Sequence, residues 1–167
     1  QECDGRLSVS VQALQGWHTD TRAGLCFVSR FPILDAAEME RESLRGAGGS
    51  GLVVTYRLDL NGRQVRVTVV HLETPRAGLE SLREGRLSEG IFWLREKSSL
   101  REIELRRARR WVDQFTGPRI VVGDFNTPPE SPIFRAAWSD WHNAFSLGGL
   151  GFGGSRHNGW IRARIDH

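Results

Sequence analysis

The chain has 167 residues, 39% of them hydrophobic and 26% charged, and a formal net charge of +3. These values are typical of one globular domain that buries its own core. No segment of this sequence approaches the ~18–20 consecutive apolar residues that cross a bilayer, so we expect no transmembrane segment within it. The chain does not begin with methionine, and we expect it to be an excerpt of a longer protein.

The two cysteines, Cys3 and Cys26, are too few for a disulfide framework, and no Cys/His spacing typical of a metal site is present. We interpret both as buried thiols. The positive charge is concentrated between Arg95 and Arg119, a segment that contains eight Lys/Arg residues and four Asp/Glu residues. Two interpretations stay open for this segment: the solvated face of a helix, or attraction for a polyanion such as nucleic acid or a phospholipid headgroup.

In chain order, the first predicted element is a strand over Leu25–Ser29, ended by the pair Phe31-Pro32. The segment 50–74 then predicts a β-hairpin around Asn61-Gly62, a pair that suits both positive-φ positions of a type I′ turn. The alternating residues on one face are Val54, Tyr56, Leu58 and Leu60 before the turn and Val65, Val67 and Val69 after it. His71 shares the parity of the valines, so we expect it on the same face at the end of the second strand.

The segment 76–115 predicts helical structure, interrupted by Gly85 and Gly90 and ended by Gly117-Pro118. Its clearest apolar stripe consists of Leu105, Ala108, Trp111, Val112 and Phe115. A further helix is expected to start after Ser131, with Pro132 at its first position.

Between these helices lies the sequence RIVVGDFNTPPESP, residues 119–132. The β-branched run 119–122 predicts a strand buried on both faces, and Gly123 permits a sharp change of direction. Asp124 and Asn126 follow at the carboxyl end of that strand. This is the position where α/β folds bind ligands, although an Asp and an Asn after a strand also commonly form turns.

Five segments in this order resemble the motifs of the endonuclease/exonuclease/phosphatase family of metal-dependent phosphoesterases. They are QE at residues 1–2, GLCFVSRFPI at 24–33, VRVTVVHLET at 65–74, RIVVGDFNTPPESP at 119–132 and RARID at 162–166. GDFN is the most specific of them. The resemblance spans essentially the whole chain.

The resemblance implies a role for each matching residue. Glu2 matches the glutamate that ligates the catalytic Mg²⁺, for which Mn²⁺ can substitute. Asp124 matches the aspartate that activates the attacking water, and Asn126 the asparagine that contacts the phosphate. His71 matches a histidine that hydrogen-bonds the phosphate. Asp166 matches the aspartate that orients a final catalytic histidine.

The implied fold is α/β in the α+β sense: a four-layer sandwich of two packed mixed β-sheets flanked by helices. We treat residues 1–167 as one such domain, incomplete at both ends, because the family's opening strand and closing Asp-His pair have no counterpart here. Asp166-His167 is assigned to the earlier RID motif and not to that closing pair. We therefore expect this piece to be inactive and the parent chain to be active.

The implied activity is Mg²⁺-dependent hydrolysis of a phosphate ester, with a phosphodiester and nuclease-like action placed first. Phosphomonoesterase or sphingomyelinase-like activity on lipid or inositol phosphates is one alternative, and an inactive relative that only binds is another. The implied partner is the phosphate-ester substrate, with nucleic acid as one candidate. The sequence does not indicate a compartment or an oligomeric state.

Overall fold

The computed structural model describes residues 15–151, 153–158 and 161–167. These residues form eight strands and five helices. The strands are β1 His18–Arg22, β2 Leu25–Ser29, β3 Ile33–Glu38, β4 Leu52–Leu60, β5 Arg63–His71, β6 Arg119–Asp124, β7 Arg156–Asn158 and β8 Ile161–Ala163. The helices are α1 Glu42–Gly46, α2 Arg76–Arg83, α3 Leu87–Asp113, α4 Pro132–Trp138 and α5 Ala144–Gly148.

The central element is a four-stranded mixed sheet in the order β3-β4-β5-β6. β3, β4 and β5 are antiparallel neighbours, whereas β5 and β6 run parallel. The predicted hairpin is confirmed: Leu60 pairs with Arg63, and both Asn61 (φ 55°) and Gly62 (φ 90°) have positive φ. The parallel β5–β6 pair is connected by α2 and α3, so two segments far apart in sequence end at the same edge of the sheet.

Each face of the sheet carries its own apolar cluster. One cluster joins the sheet to α1, α3 and α4 and contains Val53, Val70, Leu105, Val112 and Phe125, among others. The other joins the opposite face to β2 and contains Leu25, Leu52, Val54, Tyr56, Leu58 and Val69. Because successive residues of a strand point to opposite faces, β4 and β5 supply side chains to both clusters.

A second sheet, β1-β2, packs on the face opposite the helices. Phe27 of β2 stacks on Tyr56 of β4, with ring centroids 4.0 Å apart and an interplanar angle of 7°. The described residues thus form helices, mixed sheet and β1-β2 sheet, three consecutive layers of the predicted sandwich. The α+β fold class is confirmed.

The exposure of β6 and the state of Cys26 both differ from the sequence interpretation. β6 is not buried on both faces, because Ile120 is 50% and Val122 37% exposed on the side away from the helices. The β1-β2 sheet covers β4 and β5 but leaves these two side chains in contact with solvent. Cys26 is buried as predicted, but it is disulfide-bonded and not a thiol. Cys3 lies outside the described residues.

Candidate active site

One histidine and two aspartates lie side by side at one edge of the mixed sheet. In the parallel β5–β6 pair, His71 is the direct partner of Asp124. On the other side of β6, Asp124 forms an antiparallel bridge with Asp166. Since directly paired residues project from the same face of a sheet, His71, Asp124 and Asp166 form a row on three adjacent chain segments. We call this row the edge triad.

Gly123 allows the strands to approach closely enough for this row to form. Its φ is +135°, which side-chain-bearing residues rarely adopt, and a Cβ at this position would lie 2.0 Å from the carbonyl oxygen of Val70. Only a hydrogen at this position permits both the backbone conformation and the contact with β5. The sequence suggested a turn at Gly123, but Gly123 lies within β6. Glycine is required there because β5 leaves no room for a side chain.

The loop after β6 is held by Asn126, which has a left-handed φ of 48° and is only 7% exposed. Its backbone N–H donates to Asp124 Oδ1 (2.7 Å), and its Nδ2 donates to the carbonyl oxygen of Leu72 (2.8 Å). Asn126 thus fixes one carboxylate oxygen of the edge triad. It also connects the residue after β5 to the loop after β6.

His167 lies on the opposite face from the edge triad, among aromatic rings. Its ring centroid is 5.2 Å from that of Phe125 and 4.8 Å from that of Phe134. Asn143 Nδ2 lies 3.3 Å from His167 Nδ1, and His167 Nε2 lies 3.0 Å from the carbonyl oxygen of Thr127. The amide must donate to Nδ1, which leaves the proton on Nε2 to donate to the carbonyl. Burial lowers the pKa of His167, and nearby Arg164 lowers it further.

The predicted metal ligand Glu2 lies outside the described residues. Within residues 15–151, 153–158 and 161–167, no group of three or more His, Cys, Asp or Glu side chains is arranged to hold a metal ion. The edge triad nevertheless contains two neighbouring carboxylates, Asp124 and Asp166. Carboxylate oxygens are the donors that Mg²⁺ prefers, so the chemistry of this edge fits a divalent cation once a further oxygen ligand is supplied.

Sequence reasoning missed two charged residues behind the site, Arg101 and Glu104 of α3. Arg101 Nη1 donates to the carbonyl oxygen of Asn126 (3.1 Å), and Glu104 accepts hydrogen bonds from the backbone N–H groups of Gly51 and Glu73. A signal was present, because Glu104 lies four residues before Ala108 in the apolar stripe of this helix. An acidic residue on an apolar face is buried only when it is paired.

The model of the endonuclease/exonuclease/phosphatase family matches residues 1–167, the whole chain. The chain therefore belongs to this family, whose members commonly depend on a divalent metal. A search of curated protein sequences finds no match. Within the described part of the chain, no helix has the length and apolarity needed to span a bilayer.

Solved structures similar to the chain include two bacterial proteins and one named SmcL. Beta toxin from Staphylococcus aureus is 17% identical over 67% of this chain and 37% of its own, with a TM-score of 0.40. Sphingomyelinase C from Streptomyces griseocarneus is 14% identical over 71% and 38%, with a TM-score of 0.41. SmcL is 14% identical over 83% and 43%, with a TM-score of 0.45. The chain thus spans about two fifths of each structure, and similarities at this level do not assign an activity to it.

Proposed function

We propose that the protein containing this chain hydrolyses a phosphodiester by metal-assisted, in-line attack of water. The observation that carries the proposal is the edge triad, in which His71, Asp124 and Asp166 are brought together from three separate segments. Chains that only bind have no chemical need for an aligned imidazole and two carboxylates at one sheet edge. Family membership supports the same class of reaction.

In this proposal the residues have different tasks. Asp124, whose Oδ1 accepts from the backbone N–H of Asn126, orients the attacking water and accepts its proton. His71 donates a hydrogen bond to a phosphoryl oxygen. Asn126 uses one hydrogen of its amide on Leu72 and offers the second to the phosphate. Asp166, the neighbour of Asp124, has the role of the family's aspartate that orients a final catalytic histidine.

Mg²⁺, or Mn²⁺ in its place, would be held by Glu2, the residue that matches the family's metal-ligating glutamate. When bound, such a cation neutralises phosphate charge and stabilises the leaving oxygen. The remaining catalysis is assigned to preorganised hydrogen-bond donors around the phosphate, which usually provide the largest electrostatic contribution.

The arginines of α3 do not favour nucleic acid over other phosphodiesters. Arg106 pairs with Glu102 at 2.8 Å, and Arg109 pairs with Asp113 at 2.8 Å and bonds to Asp140. These contacts support the solvated-helix interpretation of the basic segment rather than a polyanion surface. The experiment therefore tests three substrate classes separately: nucleic acid, a sphingomyelin-type lipid and an inositol phosphate.

The test uses the full-length protein with an aryl phosphodiester and an aryl phosphomonoester, in Mg²⁺, in Mn²⁺ and in EDTA. We expect metal-dependent turnover that prefers the diester and falls about 10²–10⁴-fold in Asp124→Ala, the usual range for a positioned acid or base. Asp113→Ala is the matched control, because Asp113 ends α3 away from the edge triad. Glu2→Gln is expected to weaken Mn²⁺ binding measured by calorimetry, a result that does not depend on turnover.

Equal turnover in Asp124→Ala and Asp113→Ala would refute the assignment of the site. No hydrolysis of either ester, of DNA, of RNA, or of sphingomyelin or phosphoinositide vesicles would favour the binding-only alternative. We also propose that residues 1–167 alone are inactive, since the exposed Ile120 and Val122 indicate an uncovered face of β6. Comparable turnover by this piece and by the full-length protein would contradict that expectation.

A further inference from the structure

A fully buried carboxylate lies directly behind the candidate site. Glu104 on α3 has no exposed surface, and its burial raises its pKa, an effect opposed by the backbone N–H groups of Glu73 and Gly51. Burying a carboxylate costs far more than burying an apolar side chain of similar size. An apolar side chain would fill this space at a lower cost in folding free energy. Packing alone therefore does not explain why a glutamate lies here.

The two oxygens of Glu104 hold backbone on either side of His71. Oε2 accepts from the N–H of Glu73 (2.6 Å), two residues after His71. Oε1 accepts from the N–H of Gly51 (2.8 Å), which precedes Leu52, the direct β4 partner of His71. A single side chain therefore fixes the end of β5 and the beginning of β4 where they flank the imidazole.

Arg101 lies three residues earlier on the same helix and holds the other half of the site. Its Nη1 donates to the carbonyl oxygen of Asn126 at 3.1 Å. Residues three apart lie on the same face of a helix, so α3 presents an acceptor to the segment after β5 and a donor to the loop after β6. Lys97, one turn earlier, adds a half-buried ion pair with Glu73 at 3.0 Å.

We propose that Arg101 and Glu104 are positioning residues that set the distance between the His71 segment and the Asp124–Asn126 loop. This inference rests on the proposed function, because it assigns a purpose to the alignment of those catalytic groups. Neither residue touches the substrate. Each acts through the backbone of the segment that carries a catalytic side chain.

The experiment measures kcat and KM of the full-length protein on the aryl phosphodiester with Mg²⁺. In Arg101→Ala we expect kcat to fall about 10–100-fold, as for other groups that orient catalytic residues, with KM changing less than about threefold. Arg101→Lys should recover part of the loss, because an ammonium N–H can still reach the Asn126 carbonyl. Arg106→Ala is the matched control, since Arg106 is an exposed arginine of the same helix, and it should leave kcat unchanged.

Glu104→Gln tests the second half of the proposal. The glutamine side chain supplies one acceptor oxygen and places its NH₂ group against the other backbone N–H. Hydrogen exchange of the backbone N–H should therefore accelerate at Glu73 or Gly51, and kcat should fall. A lower Tm without loss of kcat in Arg101→Ala and Glu104→Gln would overturn the proposal and leave both residues a purely structural role. If Arg101→Ala does not fold, Arg101→Gln takes its place in the same comparison.

Absence of turnover in the wild type would refute the proposed function but would not by itself decide the positioning role. In that case the decisive measurement is hydrogen exchange at residues 124–127. Faster exchange in Arg101→Ala than in Arg106→Ala supports positioning by Arg101, and equal exchange in the two variants overturns it.

Discussion

Replacing Gly123 with alanine is expected to push β6 away from β5 and to destabilise the protein severely. The added Cβ would lie 2.0 Å from Val70 O and 2.9 Å from Val70 N, whereas real Cβ contacts essentially never fall below 3.0 Å. Relieving the shortest contact requires a shift of about 1 Å between strands that are normally ~4.8 Å apart. Because Val70 precedes His71 and Gly123 precedes Asp124, the same shift displaces the edge triad.

Two costs add in this variant. An unfavourable positive φ costs about 1–3 kcal/mol, and overpacking a close contact costs about 1–3 kcal/mol. For a domain of this size each kcal/mol lowers Tm by roughly 2–4 °C, so we expect Gly123→Ala to lower Tm by roughly 10 °C. The measurement is thermal unfolding of the full-length protein followed by circular dichroism.

Gly117→Ala is the control that separates the two costs. Gly117 has φ +83°, and no heavy atom lies within 4 Å of the position that a Cβ would take, so alanine there changes only the backbone conformational energy. We expect Gly123→Ala to lower Tm by several degrees more than Gly117→Ala. Equal shifts in the two variants would refute the reasoning, because they would show that the contact with Val70 costs nothing.

Two further predictions concern His167 and Cys26. Burial lowers the pKa of His167 in the folded protein. Below the unfolded pKa of about 6.5 the unfolded chain therefore binds more protons than the folded chain, and stability decreases as the pH falls, by at most about 1.4 kcal/mol per pH unit. In urea unfolding from pH 8 to 5, the free energy of unfolding should decrease less in His167→Gln than in the wild type. The control His142→Asn, at an exposed residue, should show the same decrease as the wild type. Identical pH profiles for His167→Gln and the wild type would contradict the assignment. Cys26 should resist iodoacetamide under non-reducing conditions and react after unfolding in dithiothreitol, and its reduction should lower stability by about 2–4 kcal/mol. Rapid alkylation of the native, unreduced protein would show that Cys26 is a thiol after all.

The local elements could be predicted from the sequence because each has a short-range physical signal. The strand Leu25–Ser29 and the hairpin around Asn61-Gly62 follow from alternation and turn chemistry. Both are observed, and the strand has the expected bounds. The helix start at Pro132 is also observed. Strand β3, with the sequence ILDAAE, was missed because its pairing with β4 overrides a weak local preference.

The candidate site could be predicted only in part. The motifs indicated His71, Asp124 and Asp166, but their alignment on adjacent segments depends on strand order, which no local pattern contains. The supporting contacts of Arg101 and Glu104 depend on how α3 packs against the sheet, and the periodicity of the helix reports only which face is apolar. The exposure of Ile120 and Val122 likewise depends on which strands the second sheet covers.

The parallel pairing of β5 with β6 has a kinetic consequence. The β4-β5 hairpin closes through a two-residue turn, whereas Asn126 must find Leu72 across 54 positions of sequence. Closing the longer loop costs more conformational entropy before any contact offsets it, so we expect β6 to dock after the hairpin and α3 have formed. The alignment of the edge triad would then be among the last features acquired during folding. A chain arrested before that step would retain much of its secondary structure but would lack the aligned His71, Asp124 and Asp166.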